Sequence, residues 1–100
     1  MIEETIYAHT AEGECISIHI SLADPAPKQD DWGIRVVIHS SDGKLSFNNT
    51  LYQVSPLLCL DTTLRFISTM LGGYRETIGM RLCFSETWSE DSEIPETYPR

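Results

Sequence analysis

One hundred residues, 41% of them hydrophobic and 22% charged, make one domain with one core and are too apolar for wholesale disorder. The formal charge of −8 repels phosphate backbones and argues against nucleic-acid binding. No apolar run reaches the ~20 residues of a membrane span.

Three cysteines, Cys15, Cys59 and Cys83, cannot all pair, and none stands in a Cys-x-x-Cys spacing. They read as small buried hydrophobes of a reduced, cytoplasmic protein. The opening Met-Ile-Glu-Glu-Thr has neither the basic start nor the apolar stretch of a signal peptide.

In chain order, residues 2–8 read as a first strand, with Ile2, Ile6 and Ala8 on one side and Glu3, Thr5 and Tyr7 on the other. After the polar turn His9–Glu14, Ile16, Ile18, Ile20 and Leu22 alternate with Ser17, His19 and Ser21, which completes an antiparallel hairpin. The stretch from Ala23 to Asp31 carries Pro25 and Pro27 and reads as a loop of about nine residues, because proline cannot donate to a ladder. Trp32, Ile34, Val36 and Ile38 then alternate with Gly33, Arg35, Val37 and His39, and Ser41-Asp42-Gly43 turns into a fourth strand at 45–51. Asn48-Asn49 would be a bulge or an early end of that strand.

The central element is a helix at 55–71. Ser55 is a fit N-cap and Pro56 the first helical residue, where a missing donor is harmless. Leu57, Leu60, Leu64, Ile67 and Leu71 recur at three and four, and Gly72-Gly73 suits a left-handed stop. Cys59, Phe66 and Met70 widen the apolar arc to roughly half the circumference, enough for a sheet and a second contact, either the tail or a second subunit. Residues 74–79 are irregular or one extra turn, and Met80, Leu82 and Phe84 mark a short fifth strand.

The fold class is therefore α+β, an antiparallel four- or five-stranded sheet packed on one long helix in the order β-β-β-β-α-β. Residues 1–85 form the domain. Residues 86–100 form a loose acidic tail whose five carboxylates against Arg100 leave it at −4. The expected core is Ile16, Ile18, Ile20, Ile34, Val36, Ile38, Leu60, Leu64, Ile67 and Leu71.

Nothing in the spacing marks a metal, cofactor or catalytic motif. His19, Arg35 and His39 share the outer sheet face, but two histidines need a third ligand. Cys59, near the helix start, would need a base such as His39 to act as a nucleophile, and it falls in the apolar arc. Asp61 and Arg65 form an i,i+4 surface pair.

The four strands followed by Ser-Pro-Leu-Leu-Cys-Leu-Asp-Thr-Thr-Leu-Arg-Phe resemble, over residues 15–72, the β-meander-plus-helix domains of small bacterial proteins. Some proteins of that kind are called immunity proteins. The resemblance implies an interaction protein rather than an enzyme and carries no site residues across.

The sequence thus favours a non-enzymatic protein-interaction module without cofactor, acting on a protein partner or as a homodimer. One alternative is an acidic inhibitor or immunity-type protein for a basic partner, with Asp30, Asp31, Trp32, Trp88, Glu90 and Asp91 as contact residues. A second is a small thiol-dependent enzyme.

Overall fold

A computed structural model describes residues 1–78 and 81–100. The chain runs β1 (Ile2–His9), β2 (Cys15–Leu22), β3 (Ala26–Lys28), β4 (Asp31–Ser40), β5 (Ser46–Gln53), α1 (Pro56–Ile78) and β6 (Arg81–Cys83), followed by a 3-10 turn at Glu90–Ser92. All strand pairings are antiparallel. The fold is α+β, a curled sheet packed with one helix.

β4 is the hub. β5 and β2 both pair with its residues 36–39 and must lie on opposite edges of it, while β3 pairs with 31–33 beyond the end of β2. The sheet therefore reads β5–β4–β2–β1–β6, with β3 extending the line of β2. Inward residues pair with inward residues, Ile6 with Ile18 and Ile20 with Ile38. Helix α1 lies over β4 and β5. Ile6, Ile18, Ile34, Val36, Ile38, Ile67, Leu71 and Leu82 are almost completely buried between the two layers.

Local chemistry explains the joins. Ser55 caps α1: its hydroxyl accepts from the Leu58 amide at 3.0 Å, satisfying an orphan donor of the first turn. Gly43, at φ 75°, closes the β4–β5 turn with its amide donating to the Ser40 carbonyl at 3.1 Å. Gly33 leaves room for β5, since a Cβ there would stand 3.0 Å from both Thr50 and Tyr52 side-chain carbons.

Several expectations need correction. The Ala23–Asp31 stretch is not all loop: Pro27 sits in the edge strand β3, where a lost donor faces away from the ladder. Helix α1 does not stop at Gly72-Gly73 but continues to Ile78. Tyr74, only 6% exposed, donates its hydroxyl to Asp42 at 2.9 Å, and Arg75 donates to the Ile94 carbonyl. These contacts outweigh a helix penalty of about 1 kcal/mol per glycine. Asn48 and Asn49 form no bulge, because both pair one-to-one with β4.

The segment after Ser85 is not loose. Ile94 is 3% exposed, its amide donates to the Leu82 carbonyl and the Phe84 amide donates to Ser92. Tyr98 packs on the core and donates to Glu4 at 2.6 Å. Of the expected core, Leu60 and Leu64 are only partly buried, and Leu57 is 79% exposed, because the row that α1 buries is Cys59, Thr63, Ile67 and Leu71, which turns Leu57 toward water. Ile2 is likewise exposed. The expected strand start at Met80 lies outside the described residues.

Candidate functional site

The expected contact residues do not converge. Asp30 and Asp31 are exposed at the β3–β4 turn, and Trp32 is half-buried against the core. Glu90 and Asp91 are exposed in the 3-10 turn beyond β6. The ladder fixes their separation: the Asp31 end of β4 lies past the Leu22 end of β2, whereas β6 pairs with Tyr7–His9 at the other end of β1. The two acidic groups occupy opposite corners of a molecule about 49 Å long. No single acidic patch is formed.

Around β6 the tail covers the outer sheet face. Trp88 meets His9 edge-on at 5.7 Å, and the Arg81 guanidinium lies 5.4 Å from the Trp88 ring centre. A shallow cavity of about 490 Å³ opens here, lined by His9, Thr10, Ala11, Gly13, Arg81 and Trp88.

Cys15 pairs in register with His9, the one cysteine–histidine neighbour pair that the ladder creates among the described residues. Its chemistry runs the wrong way for a nucleophile. His9 donates to the Ser85 carbonyl at 3.2 Å and the Cys15 thiol to the Glu86 carbonyl at 3.5 Å. Cys15 is exposed, not buried as the sequence suggested; partial desolvation, with Glu86 and Cys83 adding to it, still pushes its thiol up, away from the thiolate. Cys83 behaves differently. Burial works against its thiolate, but the Ser92 hydroxyl, 2.8 Å from the sulfur, and the Ser85 and Ser89 backbone outweigh burial and bring the thiol down. It is fully buried beneath the tail, out of reach of a substrate.

Cys15 and Cys83 flank β1 on different strands and sit two residues apart in register. At roughly 4.8 Å per strand and 3.3 Å per residue their Cα atoms are about 11–12 Å apart, too far to bridge. Cys59 is fully buried and bonded to the Leu51 carbonyl, and burial raises its thiol. On the open outer face His19 and His39 pair across β2 and β4, ring centres 5.2 Å apart. Arg35 does not join them. It lies two same-face positions further along β4 and donates to Asn48 at 2.8 Å. Among the described residues no three potential metal ligands come together.

The other sheet edge is built differently. β5 pairs only with β4 among the described residues, so its outer edge is unpaired over eight residues. Ser-Phe-Asn-Asn-Thr-Leu-Tyr-Gln contains no charge and no proline, the usual devices that blunt an edge. The Thr50 amide donates at 2.8 Å to the side chain of Asn49, not to β4. It therefore points outward, and by the two-residue repeat so do the amides of Ser46, Asn48 and Tyr52.

Tyr52, within the strand, is 45% exposed, and beyond the strand end Val54 is 71%, Leu57 79% and Leu58 42% exposed. The strand was legible in the sequence, but not that one of its edges stays unpaired among the described residues. The signal available was an eight-residue strand pattern without a charge, running straight into Val54 and Leu57-Leu58.

No family model, curated protein or solved structure matches the chain. Among the described residues no helix is long and apolar enough to cross a membrane.

Proposed function

We propose that this protein is a non-enzymatic protein-interaction module that recognises its partner by strand addition at β5. The observation that carries the reading is the contrast in edge chemistry: an uncharged, unpaired eight-residue edge with Tyr52 exposed on it and Val54 exposed just past its end. Main-chain donors and acceptors on such an edge supply affinity, and neighbouring apolar side chains supply specificity. The raised thiols of Cys15 and Cys59 and the buried position of Cys83 speak against the thiol-enzyme alternative. Three free thiols suit a reducing, cytoplasmic setting.

The test is capture from cells that make the protein. Thr50→Pro removes an outward amide without taking a donor from the β4 ladder, so it blocks strand addition and spares the fold. The captured partner is expected to be lost with Thr50→Pro and kept with Glu90→Gln/Asp91→Asn and with Cys59→Ala. Retention with Thr50→Pro, together with loss on the carboxylate substitutions and at high salt, would replace this reading with the acidic, immunity-type one.

A further inference from the structure

Resting on the reading of β5 as an interaction edge, we infer that the strand added to it is β5 of a second copy, antiparallel across a twofold axis at Asn49. Charge supports this occupant. At −8 two copies repel on average, but the acids are not spread evenly. Glu86, Glu90, Asp91 and Glu93 follow β6, at the sheet edge opposite β5. Four strand spacings of roughly 4.8 Å, about 19 Å, lie between that edge and β5, more than two Debye lengths at physiological salt.

The charged side chains bonded to β5 are cationic, Lys28 on Tyr52 and Arg35 on Asn48. Asp61, on the overlying helix, is held by Arg65 and Arg100. The β5 edge is thus where two copies can approach without setting acid against acid.

Geometry selects the register. The outward main-chain groups belong to Ser46, Asn48, Thr50 and Tyr52, and a continuous sheet must oppose inward side chains to inward ones. Placing the axis at Asn49 sets Asn48 against Thr50 of the second copy and Ser46 against its Tyr52, each pair exchanging main-chain hydrogen bonds. It also sets Phe47 against Leu51, both apolar and both on the helix side. A shift of the axis to Thr50 would instead set Asn49 against Leu51, a poorer match.

In the isolated chain the Asn49 side chain occupies the Thr50 amide. On pairing it releases that amide to Asn48 of the second copy and meets Asn49 of that copy across the axis.

Sedimentation velocity over a concentration series tests the pairing on the full chain. The wild type is expected to shift from 11.3 kDa to twice that mass. Asn49→Lys and Asn49→Asp each place like charges face to face at the axis and are expected to weaken association about tenfold or more. Mixing the two variants is expected to restore it, because Lys then faces Asp. Circular dichroism matching the wild type establishes that each variant is folded.

A wild type that stays at 11.3 kDa throughout overturns self-pairing and leaves strand addition to be decided by the Thr50→Pro capture. Variants that dimerise as well as the wild type, or a mixture that fails to recover association, overturn the Asn49 axis.

Discussion

The β5 and β6 edges of this sheet face the same physical problem and solve it differently. An edge strand presents unpaired amides and carbonyls that invite another chain. At β6 the protein's own C-terminal segment answers: the Phe84 amide donates to Ser92, the Ile94 amide to Leu82, and Ile94 is sealed beneath. At β5 nothing in the described residues covers the edge, and only the Asn49 side chain occupies one of its amides. β6 has three residues and a tail to cover it, whereas β5 has eight, with Tyr52 and Val54 exposed at its end. The lesson is that edge protection is spent where the strand is short and withheld where it is long.

Substitutions on each side sharpen the contrast. The largest effect belongs to the closed edge. Ile94→Ala leaves a cavity in a sealed site and is expected to cost about 2–5 kcal/mol, read from the urea midpoint. A loss below 0.5 kcal/mol would mean the tail does not contribute to the fold. Next, Tyr98→Phe removes the hydroxyl that donates to Glu4 at 2.6 Å and is expected to cost about 1–2 kcal/mol after allowance for partial exposure.

The tyrosines also set a pH dependence. Burial, then Asp42, pushes the Tyr74 phenol up to about 12, and burial with Glu4 raises Tyr98 as well. The unfolded chain therefore releases these protons first, near the usual tyrosine value of about 10. Stability from Tyr74 is intact below that value and falls as pH rises from there toward 12. Denaturation followed across this window is expected to show a slope that Tyr74→Phe flattens; an unchanged slope would remove Tyr74 from the account.

The smallest stability effect is expected at the open edge. Val54→Ala should stay within about 0.5 kcal/mol, because that side chain already faces water.

What the sequence disclosed follows the same division. Period-two alternation fixed β2 and β4, and Ser55-Pro56 fixed the helix start, because each signal is local. The helix end was hidden because Tyr74 and Arg75 hold it through Asp42 and Ile94, contacts no local pattern announces. The tail was hidden because Ile94 and Tyr98 dock singly among prolines and acids, without periodicity. β3 was hidden because proline marks both a loop and a tolerated edge strand. Of the candidate site, the sequence supplied every β5 residue but not which edge of the strand would remain unpaired, since that depends on the β4 pairing.

Amide hydrogen exchange, resolved by residue and repeated across protein concentration, tests the contrast most directly. The account predicts that Phe84 and Ile94 amides are protected at every concentration. The outward amides of Ser46, Asn48 and Tyr52 should exchange freely in dilute solution and become protected as concentration rises. Protection that never appears would remove the second copy as the added strand, and protection of those β5 amides that is already complete at dilution would contradict the open edge itself.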